Sequence, residues 1–258
     1  MEDKELREKN VNELITSIKS TMSDRASVNK AFNREFDALR KKVAPQVISN
    51  WDKLTDKEKE SVLHVGHFFC GLHLIVNFGS EADSALKTVE AAMLEGNNPF
   101  SFGNSESGTF RLIRTASKAF EEHGSDEAAV ASHFSTFLIG KGEETTLASF
   151  RRNRINIIFY NASATYYHRK HFIEFLEKWP DANRLLKSVD VDLTSDVFLA
   201  GLRALGIVDK LVTAPLWRLL ESRMNIIDMA KHYRKLQTCL QVGSHDASAL
   251  LKGAAIFD

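Results

Sequence analysis

HVGHFFCGLHLIVNF, residues His64 to Phe78, is the longest run of this chain dominated by apolar residues, and within it His64, His67, Cys70 and His73 recur at every third position. Four side chains able to ligate a metal at that spacing raise the question of an ion site. On a helix each step of three residues drifts by about 60°, so the four would spread over about half the circumference and cannot all face one ion. Zinc sites usually draw ligands from two separated segments, and no partner CxxC or HxxxH occurs elsewhere. The stretch is therefore read as structural, with no metal. HFFCGL carries the aromatic residues and cysteine of a strand covered on both faces, while HLIVNFGSEADSALKTVEAAM spaces its apolar residues as a helix does. A strand passing into a helix at Gly71 is expected.

The 258 residues, 43% hydrophobic and 26% charged, suffice to bury a real core as one large domain or two small ones. No apolar run approaches the roughly 18 residues of a membrane span, and the charged start MEDKELREKN is not a secretory signal. An intracellular protein with no membrane partner is expected. Cys70 and Cys239 are too few for a disulfide framework, which fits a reducing compartment. Lys plus Arg number 34 and Asp plus Glu number 34, so any contact with nucleic acid must come from local patches.

Upstream of the opening stretch, Val11 to Met22 reads as a helix end or a short strand. Val28, Phe32, Phe36 and Leu39 recur at three and four and predict a helix from Ala26 to Val43, ending in Arg40, Lys41 and Lys42, where cations suit the dipole. Pro45 is expected to open a further short helix, and Thr55 with Glu58 has the form of a capping box. Downstream, EGNNPFSFGNSESG (Glu95 to Gly108) is a loop and marks a division into 1–96 and 97–258. Beyond it Thr109 is expected to cap FRLIRTASKAFEEH, and Ser125 to start the next helix. Leu147 to Trp179 should be mostly helical, with Asn161-Ala-Ser as a point of interruption. SDVFLAGLRAL is expected to close at Gly206, Pro215 to lead LWRLLESR, and NIIDMAKHYRKLQTCL to form the last long helix. The chain thus reads as mainly α, a multi-helix domain with strands confined to about Ile15 to Leu72.

Three basic clusters stand out: Arg40 to Lys42, Arg151-Arg152-Asn153-Arg154, and His168 to His171 with Arg169 and Lys170 inside it. Each is either a solvated helix face or a clamp on phosphate. Tyr166-Tyr167 reads as core rather than a base-stacking platform. No GxSxG, P-loop or dinucleotide glycine fingerprint is present, and Cys70 lies in an apolar run, so nucleophilic catalysis has no support.

Ser23-Asp24-Arg25 followed by Asn29, and Cys70-Gly-Leu-His73 running into Leu-Ile-Val-Asn77, resemble two landmarks of hobo/Activator-type (hAT-like) DDE transposases. In that family a strand-end aspartate with a nearby asparagine precedes a CxxH motif that enters an apolar helix, within an RNase H-like core. Ser149-Phe-Arg-Arg-Asn-Arg154-Ile-Asn156 is similar to the Arg-centred motif of the family's helical insertion. The resemblance extends from about Ile15 onward. It implies a small remnant of an RNase H-like α/β core near the N-terminus (1–96) followed by a helical insertion-type domain (97–258). It makes Asp24 the middle catalytic acid and Cys70 and His73 a structural motif. Arg151, Arg152, Arg154, Arg169 and Lys170 become DNA contacts, in a nuclear setting.

The family's catalysis needs three acidic residues on two metal ions. Only the middle one is matched. Asp24 has just 23 residues before it, too few for the opening strands, and neither Glu174 nor Glu221 is selected by its context as the third. The expectation is a central fragment of a transposon-derived protein, inactive alone, with magnesium a cofactor only within a complete transposase. The other functional class is a helical module that binds protein partners or itself, with no DNA role.

Overall fold

The turn at Gly71 is built as the residue types ask: Gly66–Phe69 is extended and a helix begins at Leu72. The computed structural model describes residues 2–24, 26–94, 106–121, 129–150, 156–179 and 182–257, and divides by its contacts into Met1–Leu74 and Ile75–Asp258. That boundary comes earlier than the Gly- and Asn-rich segment from which a division at 96/97 was expected. The reason is that Phe78, Ala82 and Leu86 pack on the core of the second unit.

The first unit runs α1 (Glu2–Ser17), β1 (Ser20–Ser23), α2 (Ser27–Val47), α3 (Asp56–Leu63), β2 (Gly66–Phe69), and the start of α4 (Leu72–Met93). β1 and β2 pair in parallel, Ser20 opposite Gly66 through Ser23 opposite Phe69, with α2 and α3 in the crossover. Two strands alone are marginal in water. What ties this pair to its helices is Arg40. Its guanidinium donates to the carbonyls of Ile15 (2.7 Å), Ile18 (2.7 Å), Thr16 (2.8 Å) and Val62 (2.9 Å). Ile15 and Thr16 belong to the last turn of α1 and Val62 to the last turn of α3, where carbonyls have no intrahelical partner. One cation thus caps two helix C-termini. The reading of Arg40 to Lys42 as one surface cluster is corrected: Arg40 is wholly buried, and only Lys41 and Lys42 are exposed.

Two further expectations change in α2. The helix continues through Pro45, close to its C-terminal end, at the cost of the one hydrogen bond that a backbone N–H there would give the carbonyl of Lys41. The row Val28, Phe32, Phe36 and Leu39 marks a helix as expected, but Val28 is 76% and Phe32 58% exposed, and the buried face is Asn33, Arg40, Val43 and Ala44. The Thr55 capping box forms, with Thr55 N–H donating to Glu58 Oε2 at 2.8 Å.

Among the described residues, the regular elements of the second unit beyond α4 are helices. They include α5 (Gly108–Phe120), α6 (Val130–Ile139), α7 (Ile157–Glu177), α8 (Arg184–Leu193), α9 (Asp196–Val208), α10 (Ala214–Glu221), α11 (Ile226–Gly243) and α12 (Ser248–Leu251). The core of this unit is aromatic: Phe120, Phe134 and Phe172 are fully buried, with ring centroids 4.7 to 4.9 Å apart. Ser107, not Thr109, caps α5, accepting from Phe110 N–H at 3.2 Å. Thr109 is instead buried against Glu90, whose carboxylate accepts from Gly108 N–H (2.6 Å), Thr109 N–H (2.9 Å) and Thr109 Oγ1 (2.7 Å). A carboxylate at a helix N-terminus is favoured by the dipole.

Residues 143–149 are irregular, so α7 begins at Ile157 rather than near Leu147, and it runs through Asn161-Ala-Ser without a break. The Asn161 amide is occupied elsewhere: it donates to Ala148 O (2.7 Å) and accepts from Ala148 N–H (2.9 Å), pinning the irregular segment to α7. Gly206 does not end α9, which reaches Val208 and continues through a π turn at Asp209–Thr213 into α10. A Cβ at Gly206 would lie 3.1 Å from Ser163 Oγ and 3.4 Å from Ser163 Cα, so the glycine serves the close approach of α9 to α7. The π turn precedes Pro215, whose ring cannot supply the N–H of a regular ladder. The expected helix start at Ser125 lies outside the described residues. Among the described residues, no helix is long and apolar enough to cross a membrane.

Candidate functional site

Where parallel strands are joined by helices, side chains able to meet a ligand collect beyond the carboxyl ends of the strands. Asp24 follows β1 there and Cys70 follows β2, and Cys70 N–H donates to Ser23 O at 2.8 Å, extending the ladder to the turn. His73 opens α4 and donates its N–H to Cys70 O at 3.2 Å. Asp24 Oδ1 accepts from Ala26 N–H (2.8 Å) and from Asn29 Nδ2 (2.6 Å). These two bonds, helped by the nearby His73, hold the Asp24 carboxyl below the usual carboxylate range. Its share of stability is present above the ordinary carboxylate pKa and is lost as pH falls through the depressed folded value. Replacing Asn29 with alanine removes the shorter bond. We expect the Asp24 titration, followed by carboxyl carbon NMR, to move upward toward the ordinary value; an unchanged midpoint would show that Asn29 does not set it.

The Cys70 thiol is half-buried and reduced, and the His73 Nδ1 is buried without a hydrogen-bond partner among the described residues. His67 lies between Thr21 Oγ1, 2.7 Å from its Nδ1, and the Asp37 carboxylate, 3.0 Å from its Nε2. His64, His67, Cys70 and His73 are not among the described residues whose ligand atoms gather closely enough to hold an ion.

Of the residues expected to contact DNA, Arg151, Arg152 and Arg154 lie outside the described residues. Arg169 is partly committed within its own helix, donating to Tyr166 O at 2.8 Å with its guanidinium 4.3 Å from the Tyr166 ring centre. Lys170 is exposed. Tyr166 is half-buried as a core residue would be, whereas Tyr167 is 61% exposed, which corrects the reading of that pair. Glu174 is bound by Lys141 (2.7 Å) and Lys178 (3.0 Å), which lower its pKa. Glu221 lines a cleft of about 420 Å³ with Trp217, Tyr160 and Asn156.

The sequence reading missed a different constellation. His168 and His171, one helical turn apart on α7, meet Glu143 of the irregular segment. Glu143 Oε2 is 3.9 Å from His168 Nδ1 and 3.5 Å from His171 Nδ1. All three atoms are buried and without a hydrogen-bond partner among the described residues. His168 is fully buried, which lowers its pKa and keeps the imidazole neutral. The HxxH spacing was visible, but it was read as a run of surface cations. Nothing local shows that a loop far upstream in sequence returns to it.

Comparison with protein-family models, with curated proteins and with solved structures finds no match to this chain.

Proposed function

We propose that the chain is part of a transposon-derived, hAT-like transposase, with Asp24 one carboxylate of an RNase H-like metal-binding set and the helical unit a DNA-contacting body. The observation that carries this reading is the position of Asp24. It sits directly after the first of two parallel strands, hydrogen-bonded to Asn29, beside the Cys70 to His73 turn that follows the second. That is the arrangement the resemblance implies for the middle acid.

In-line displacement at a phosphodiester needs two metal ions about 3.5 to 4 Å apart. One carboxylate leaves most of each ion's coordination to water and does not fix that spacing. We therefore expect no cleavage or strand transfer from this chain alone with magnesium or manganese, while non-specific DNA binding persists because it needs only cations facing phosphate. The test is a labelled duplex followed by sedimentation at low ionic strength. The expected result is a salt-sensitive shift that weakens when Arg151, Arg152, Arg154 and Lys170 are changed to alanine. Cleavage by the parent in manganese, absent in Asp24→Ala, would mean that the chain completes an active site of its own.

A second reading, a self-associating helical module, is favoured by the exposed row on α2. Val28 and Phe32, both exposed, and the half-buried Phe36 are spaced by four, and such a ridge packs into the same ridge of a second copy. In the same sedimentation runs, a duplex that stays free while the chain dimerises, with Phe32→Glu abolishing the dimer, would favour this reading over DNA binding.

A further inference from the structure

We propose that Glu143, His168 and His171 bind one divalent transition-metal ion, zinc in the cell, through one carboxylate oxygen and two imidazole Nδ1 atoms, with the remaining position open to water. The three ligand atoms all lie within 4.8 Å of one another. Two imidazoles with one carboxylate is a set that zinc takes in sites keeping an open fourth position, and it also suits other first-row divalent ions.

The distances discriminate between an ion site and a direct contact. A hydrogen bond between an imidazole N–H and a carboxylate places the heavy atoms about 2.7 to 3.2 Å apart. Two ligands on one tetrahedral zinc, each about 2.0 to 2.2 Å from the metal, stand about 3.3 to 3.6 Å from each other. The Glu143 oxygen lies 3.5 Å from one ring nitrogen and 3.9 Å from the other. Both separations are too long for hydrogen bonds; the first falls where two ligands on one ion stand and the second a few tenths of an ångström beyond it. Buried polar atoms are almost always partnered. Here three unpartnered atoms face one another, and a cation would satisfy all of them at once.

The surroundings support the assignment. A metal-bound histidine usually anchors its other ring nitrogen, which fixes the tautomer. His168 Nε2 lies 3.1 Å from Thr146 Oγ1, which can accept the Nε2 proton when Nδ1 binds metal. In exchange, the 3.3 Å contact from Thr146 N–H to Nε2 is lost. His171 and Glu143 remain partly exposed, so an ion has a path in from solvent. Bound there, the ion would fasten the irregular segment to α7 beside the Asn161 clamp on Ala148 and the Lys141 to Glu174 pair.

The full chain, stripped with chelator and dialysed, is titrated with zinc against a chromophoric chelator, and with cobalt for its visible spectrum. We expect one zinc per chain and a higher Tm with zinc. The cobalt spectrum should be that of a nitrogen and oxygen site, without the charge-transfer band of a thiolate. Affinity should fall by more than about tenfold in His171→Ala and in Glu143→Gln, since losing a ligand costs at least as much as losing the partner that orients one. Cys70→Ala should bind as the parent does. Glu143→Gln preserves side-chain size at a partly exposed position, so it decides the question if His171→Ala fails to fold, as circular dichroism would report. No stoichiometric zinc after dialysis, binding undiminished in Glu143→Gln, or binding lost in Cys70→Ala would each overturn the assignment.

Discussion

Arg40→Leu is expected to unfold the first unit. The substitution removes the guanidinium that donates to the carbonyls of Ile15, Thr16, Ile18 and Val62, and sets an apolar side chain against them. A hydrogen bond to a charged group contributes about 1.5 to 3 kcal/mol, and a buried carbonyl left unsatisfied costs about 1 to 3 kcal/mol. We take about 4 kcal/mol as the net effect. A two-stranded sheet of four-residue strands has little reserve against that loss. Amide hydrogen exchange should lose protection at residues 20–23 and 66–70, the paired strands and the turn that follows them. Arg40→Lys should recover only part of it, because an ammonium presents three donors from one point and cannot span the ends of two helices as the planar guanidinium does. Lys41→Leu, at the exposed neighbouring position, is the control, with an expected change within about 0.5 kcal/mol. Strand protection preserved in Arg40→Leu would show that the sheet does not depend on this capping.

The second large effect is expected in the helical unit, where Arg111 of α5 meets Asp192 of α8. The contact is bidentate, Nε to Oδ2 at 3.0 Å and Nη2 to Oδ1 at 2.6 Å, with both side chains at 5% exposure or less. Asp192→Ala leaves the Arg111 charge buried with its carboxylate gone, and should cost about 3 to 5 kcal/mol in urea denaturation. The pair need not stabilise the fold in net terms. Burial raises the Asp192 pKa against the pull of Arg111. The native state then holds this proton more tightly than the unfolded chain. The residue's contribution is full below the ordinary carboxylate pKa and is lost as pH rises through the elevated folded value. Arg111→Met combined with Asp192→Leu should therefore recover most of the loss at neutral pH, to within about 1 kcal/mol of the parent. A double variant as unstable as Asp192→Ala would mean that the ion pair itself supplies the stability.

Local signals were legible wherever the partners lie within a few residues of each other. The Thr55 and Glu58 capping box and the strand that turns to helix at Gly71 both involve groups only a few positions apart. Signals that mix local and distant causes were read less well. Gly206 looked like a helix stop and is a contact point with Ser163, while Thr109 looked like a cap and is the buried partner of Glu90. In each case the residue type was noticed and its partner was not, because the partner comes from another helix.

The sequence by itself determined that this chain is mainly helical, roughly where its helices run, and that a short strand precedes α4. These follow from periodicity and from turn chemistry, which act over a few residues. Only the tertiary structure decided which face of α2 and of α7 turns inward. The apolar row of α2 stays outside while Arg40 goes in, and the HRKH run divides into a buried His168 and an exposed Lys170. It also decided that Glu143 meets His168 and His171. A helix pattern specifies an angle around an axis, not what stands opposite it. Whether a cation faces solvent, carbonyls or a carboxylate depends on segments that the fold alone brings together.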